Sequence, residues 1–131
     1  MISFLQQLWS AIFGPKATYD WDSEEMAAVK QLVQRAIQAN KVVVFSKSWC
    51  PYCNRSKEIF RLEREQFQAI ELNQLENGSA VQAYLEHISG QRTVPNIYIR
   101  GNHIGGCSDL EELQSNGQLH KLLTNDTAQP K

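Results

Sequence analysis

Cysteine is scarce in this sequence. Its 131 residues include three, too few to staple a small secreted scaffold, and the odd number leaves one unpaired in any such framework. A run of charge of either sign is also missing: 13 Lys and Arg stand against 14 Asp and Glu, for a net charge of -1. That removes the electrostatic footprint expected of a nucleic-acid binder. No apolar stretch is long enough to span a bilayer, the Met1 to Phe13 segment included. No Lys or Arg precedes Lys16, which argues against a secretory signal and against an Arg-rich transit peptide. Internal repeats and low-complexity tracts are lacking as well. These absences leave one domain around a single apolar core. A reducing compartment is expected, the cytosol by default and an organelle as the other choice. Cysteine in such a setting points to reactivity rather than architecture.

The chain divides into an N-terminal extension over 1–22, a domain over 23–124 and a flexible tail over 125–131. In the extension, Leu5, Leu8, Trp9, Ile12 and Phe13 fall at helical spacing. Gly14 and Pro15 end that pattern. A short amphipathic helix docked on its own domain, or a disordered segment, is the plainer reading, with a membrane or partner contact through residues 1–13 as the alternative.

Asp22 and Glu25 have the spacing of a capping box, and Met26, Val29, Leu32, Val33, Ala36 and Ile37 form one apolar face up to Asn40. The unbroken run Val42 to Phe45 reads as a central strand covered on both faces. Pro51 stands where a first helical residue would be, with Ile59, Phe60 and Leu62 on the inward face, so the preceding cysteine opens a helix. Phe67 to Leu72 reads as a second strand, and Ser79 to Gly90 as a helix closed by glycine. Asn96 to Arg100 and His103 to Gly105 read as a hairpin turning at Gly101 and Asn102. Ser108 and Glu111 suggest another capping box before a last helical stretch that runs through Leu119 to Leu123 and breaks near Gly117.

The chemistry is carried by Cys50 and Cys53. A thiol is a poor nucleophile until ionised, and a helix N-terminus favours the thiolate because unpaired N–H groups and partial positive charge face it. Cys50 is placed there, with Lys47 adding a cation a few residues upstream. Cys53 follows one turn later, within reach to close a disulfide with Cys50 or to resolve a mixed disulfide on it. The preceding loop should expose Cys50 while its helix shields Cys53, which makes Cys50 the attacking sulfur and Cys53 the resolving one. A cysteine pair at this spacing also begins many zinc ribbons, but those need a second pair. Only Cys107 and the scattered His87, His103 and His120 remain, without ligand spacing. No metal is expected.

Three separated motifs, Lys47-Ser48-Trp49-Cys50-Pro51-Tyr52-Cys53, Arg92-Thr93-Val94-Pro95 and Gly105-Gly106-Cys107-Ser108-Asp109-Leu110, closely resemble the dithiol glutaredoxin family over about residues 26 to 124. The resemblance implies an α/β thioredoxin-like fold, a three-layer sandwich of a four-stranded mixed sheet flanked by helices. It implies a glutathione-dependent oxidoreductase that reduces protein–glutathione mixed disulfides and protein disulfides. Glutathione would be the co-substrate, and glutathionylated or disulfide-containing proteins the partners. It further implies a cis Pro95 beside Cys50, with Thr93 leading into a Val94 backbone that pairs with the cysteine part of glutathione. Gly106, Cys107, Ser108 and Asp109 would receive the γ-glutamyl end. Lys47 and Gln82, assisted by Arg92, would hold the glycine carboxylate, with Tyr52 flanking the sulfur. Cys107 is expected to be a small buried residue rather than a nucleophile. Some relatives instead hold an iron-sulfur cluster between two chains and two glutathiones, and that reading stands as the alternative. Trp49 departs from the family pattern, where Thr or Tyr more often precedes the first cysteine.

Overall fold

A computed structural model describes residues 19–124; the helix expected within 1–13 and the tail from 125 onward lie outside the described residues. The first helix, α1, spans Glu24–Ala39 and turns Met26, Val29, Val33 and Ile37 inward. Its cap is Ser23, one residue beyond the expected Asp22: the Ser23 hydroxyl accepts the Met26 N–H at 3.2 Å and donates to the Asp20 carbonyl at 2.7 Å. Asp20 causes the shift. Its side chain accepts the Asp22 N–H at 3.0 Å, so a turn occupies residues 20–22 and the helix starts after it.

β1 (Val42–Ser46) is buried along its whole length. It pairs in parallel with β2 (Gln68–Glu71) and antiparallel with β3 (Asn96–Ile99), which pairs antiparallel with β4 (Asn102–Gly105). The result is a four-stranded mixed sheet in the order β2-β1-β3-β4. The parallel pair requires a crossover, supplied by α2 (Pro51–Leu62).

Alternation along β1 divides the apolar residues between two layers. Val43 and Phe45 pack with α1 and with α3 (Gly78–Ser89), contributed by Val81, Tyr84 and Leu85. Val42 and Val44 pack against Ile59 and Phe60 of α2, Leu110 of α4 (Cys107–Ser115) and Leu119, Leu122 and Leu123 of α5 (Gln118–Thr124). This is the expected sandwich. Lys57 of α2 and Glu71 at the end of β2 form an ion pair of 2.8 Å with little exposure on either side chain.

Further boundaries in the sheet and at α3 also differ from the sequence reading. β2 is shorter than Phe67 to Leu72 because Leu72–Gln74 form a 3₁₀ turn, which packs against the start of α3. That helix begins at Gly78 rather than Ser79, and a Cβ on Gly78 would collide with the Leu72 carbonyl. The hairpin turns at Arg100 and Gly101, both with positive φ (51° and 81°), so Asn102 belongs to β4. Two left-handed residues in succession match the twist of a two-residue hairpin loop. Arg100 also donates to the carbonyls of Leu122 and Leu123, which ties the hairpin to the end of α5.

Candidate active site

Cys50 is the N-cap of α2, in extended conformation, and Pro51 fixes the first helical turn. Its Sγ accepts the Cys53 N–H at 3.4 Å and lies 3.9 Å from the Val94 carbonyl oxygen. The sulfur therefore sits among the free N–H groups of a helix, where negative charge is favoured. The loop does not expose Cys50 as expected. The residue is 7% accessible, against 0% for Cys53, because the chain around Val94 packs across its sulfur. Cys53 is the more deeply covered of the two. Burial, followed by the hydrogen bond to Cys50, pushes the Cys53 thiol up to about 11.

The segment leading into Cys50 is held by a residue that no motif or periodicity singled out. Asn73, in the 3₁₀ turn after β2, accepts the Ser48 N–H at 3.0 Å and donates to the Ser48 hydroxyl at 2.7 Å. The Cys50 N–H closes the same turn on the Lys47 carbonyl at 3.0 Å. On either side of this anchor the Lys47 ammonium stands 5.7 Å from the centre of the Trp49 ring, and Trp49 itself is 68% exposed. Tyr52 is also largely exposed.

The Val94–Pro95 peptide bond is cis. Gln82 of α3 reaches this loop, but through its amide nitrogen, which donates to the Arg92 carbonyl at 2.8 Å. Gln91 is the main prop: its side-chain nitrogen donates to the carbonyls of Thr93 and Pro95, at 3.0 and 2.8 Å. Ser89 accepts the Gln91 N–H and the Asn96 side-chain amide, completing a polar clasp that sequence reasoning missed. Ser89 ends α3, Asn96 begins β3 and Gln91 lies in the loop between them, with no periodic or spacing signal to mark any of the three.

Beside the cis proline begins α4. Its start at Cys107 rather than at Ser108 corrects the expected capping box: Asp109 accepts the Gly106 N–H at 2.9 Å, and Glu111 is engaged by Cys107 and Arg55 instead. Gly105 needs to be glycine, having φ +120° and Asp109 where a Cβ would stand. At Gly106 a Cβ would meet the Pro95 carbonyl only at an ordinary 3.6 Å. Ser108 and Asp109 are exposed at this helix end, while Cys107 is buried and its thiol raised by that burial.

The structure thus joins Cys50, Cys53, Val94, Pro95, Gly106 and Asp109 into one neighbourhood, and holds Gln82 and Arg92 together at its side. Among the described residues no group of three or more His, Cys, Asp or Glu is gathered closely enough to hold a metal ion. His103 lies against the Tyr98 ring and His87 stacks on Trp21.

A family model described as Glutaredoxin matches residues 42–104. Glutaredoxin-1 of Rhizophagus irregularis is 42% identical over 98 residues, covering 75% of this chain and 97% of that protein. Glutaredoxin-C2 of Arabidopsis thaliana is 46% identical over 94 residues, covering 72% and 85%. Among solved structures, a buckwheat glutaredoxin–glutathione complex superposes with a TM-score of 0.75 at 44% identity, covering 78% of this chain and 94% of that one.

Proposed function

The chain belongs to the glutaredoxin family, and from that premise we propose that it is a glutathione-dependent thiol–disulfide oxidoreductase whose attacking sulfur is Cys50. The observation that carries the assignment is the position of that sulfur at the N-cap of α2, between the Cys53 N–H and the Val94 carbonyl. The glutathione complex of the buckwheat relative supports the same co-substrate here.

With a glutathionylated protein, the Cys50 thiolate attacks the glutathione sulfur and the protein leaves as a thiolate that takes up a proton. Cys50 then carries glutathione as a mixed disulfide. A second glutathione, reacting as its thiolate, attacks that glutathione sulfur, so glutathione disulfide departs and Cys50 regains its electron pair. With a protein disulfide, the first attack links Cys50 to the protein. Cys53 loses its proton and attacks the Cys50 sulfur, releasing the protein as a dithiol; two glutathiones then reduce the Cys50–Cys53 disulfide. Burial keeps Cys53 protonated between turnovers, which suits a resolving thiol and not an initiating one.

The tripeptide lies, in this reading, along the Val94 backbone, in the manner of strand addition to a free edge. Its γ-glutamyl carboxylate meets the N–H groups at the start of α4 near Gly106, Cys107 and Ser108, and its ammonium meets Asp109. Lys47, with Arg92, takes the carboxylate at the glycine end. Gln82 contributes by fixing the Arg92 carbonyl, and Gln91 by bracing the turn that carries Thr93 and Pro95. Protein substrates approach past Tyr52. A reducing compartment such as the cytosol suits a catalyst whose cysteines must return to thiols.

The test is a glutathione-coupled assay of Cys50→Ser and Cys53→Ser proteins. Cys50→Ser should fall to background on every substrate. Cys53→Ser should retain substantial turnover of a glutathionylated peptide and lose turnover of protein disulfides. Undiminished activity in Cys50→Ser would overturn the assignment.

A further inference from the structure

We propose that Trp49 is a positioning residue for Lys47, its indole face holding the ammonium where the carboxylate of glutathione must be met. The inference rests on the glutathione reading above and deepens it at one position.

Trp49 is not a core residue. At 68% exposure it contributes almost nothing to either apolar layer, so packing does not explain its bulk beside the nucleophile. The Lys47 ammonium stands 5.7 Å from the ring centre, within the range of a cation–π attraction, for which tryptophan is the best ring. The backbone that sets this distance is rigid. Asn73 grips Ser48 at both its N–H and its hydroxyl, and the Cys50 N–H closes the turn on Lys47. Residues 47 and 49 therefore project from the two sides of a fixed point, and their side chains meet without the loop having to adapt.

The chemistry of the contact leaves Lys47 able to bind. A ring face draws an ammonium by charge and uses none of its three N–H donors in a strong hydrogen bond. A carboxylate can then take those donors from the open side. An unrestrained lysine loses more side-chain freedom on binding than one already held, so the ring lowers the cost of capturing the anion. The effect belongs to the glutathione that becomes linked to Cys50, whichever thiol later releases it, and has no purchase on a disulfide partner that lacks a carboxylate.

With dithiothreitol as the fixed reductant, turnover would be compared for one peptide carried either as its glutathione or as its mercaptoethanol mixed disulfide. For Trp49→Ala, the KM for the glutathionylated peptide should rise about two- to fivefold, the size of one exposed cation–π contact. The kcat and the turnover of the mercaptoethanol disulfide should stay near the wild-type values. Trp49→Tyr should recover most of the loss and Trp49→Thr should not. In a Lys47→Gln background, Trp49→Ala should add nothing. An unchanged or lower KM in Trp49→Ala would overturn the proposal, the latter by showing that the ring withholds the ammonium. So would an equal loss on both substrates, or full additivity with Lys47→Gln. A wild-type protein that turned over the two disulfides equally well would instead defeat the underlying reading and take this one with it.

Discussion

Three cysteines, all free and all buried, occupy three different chemical situations. Cys50 faces the N–H groups of a helix end, Cys53 lies inside that helix with its thiol pushed up to about 11, and Cys107 is raised by burial next to Glu111. Reactivity should follow these surroundings rather than composition. Brief treatment of the reduced protein with iodoacetamide at neutral pH should modify Cys50 and spare Cys53 and Cys107, whereas in strong urea all three should react. Peptide mapping by mass spectrometry reads the result, and labelling of Cys53 ahead of Cys50 would contradict the division of roles. At this scale the sequence was informative where chemistry is tied to local spacing. Cys50 and Cys53 are three residues apart and were visible by that spacing; Asp109 was named only through the glutaredoxin-like motif, and its bond to the Gly106 N–H stands in place of the Ser108 and Glu111 box that spacing suggested. Asn73 was not visible. It reaches Ser48 across 25 positions, a contact created by the return of β2 beside β1, and nothing in its neighbours announces it.

Among the elements, periodicity carried most of the information. The apolar face of α1, the β-branched run of β1 and the proline-led start of α2 each express a burial pattern that a local window contains. Element ends were less readable because they depend on side chains competing for the same backbone groups. Asp20 takes the Asp22 N–H and leaves Ser23 to cap α1; Asp109 takes the Gly106 N–H and draws the start of α4 back to Cys107. Glycines at two joints make this dependence measurable. Gly78→Ala drives a methyl group into the Leu72 carbonyl, and Gly105→Ala meets both a positive φ and the Asp109 carboxylate. Each should cost about 1–3 kcal/mol. Gly106→Ala, with only ordinary contacts around it, should stay within about 0.5 kcal/mol. Urea midpoints of the three variants test the contrast, which fails if Gly106→Ala is as damaging as the other two.

For the molecule as a whole, the resolving thiol links stability to pH. The folded chain keeps the Cys53 proton to about 11, above the ordinary thiol value of 9.0. The folded state thus binds that proton more tightly than the unfolded state does. Its contribution to stability is full below about pH 9 and disappears as pH climbs through about 11. The reduced protein should therefore lose urea resistance over that interval more steeply than Cys53→Ala. Parallel slopes for the two proteins would refute the link. The overall fold was readable earlier than the site, since strand and helix order followed from patterning and the motifs supplied the topology. The Arg100 contacts that fasten the hairpin to α5 exist only after distant segments have met, and the clasp of Ser89, Gln91 and Asn96 forms only where α3 and β3 are both in place.

The nucleophile draws its surroundings from three stretches of chain: its own helix, Asn73 after the second strand, and Val94 before the third. None of these stretches supplies the environment alone. A polypeptide still emerging from the ribosome, or one nicked and fallen apart, carries Cys50 without these neighbours. The assembled site is thereby withheld until the last of the three contributors has arrived.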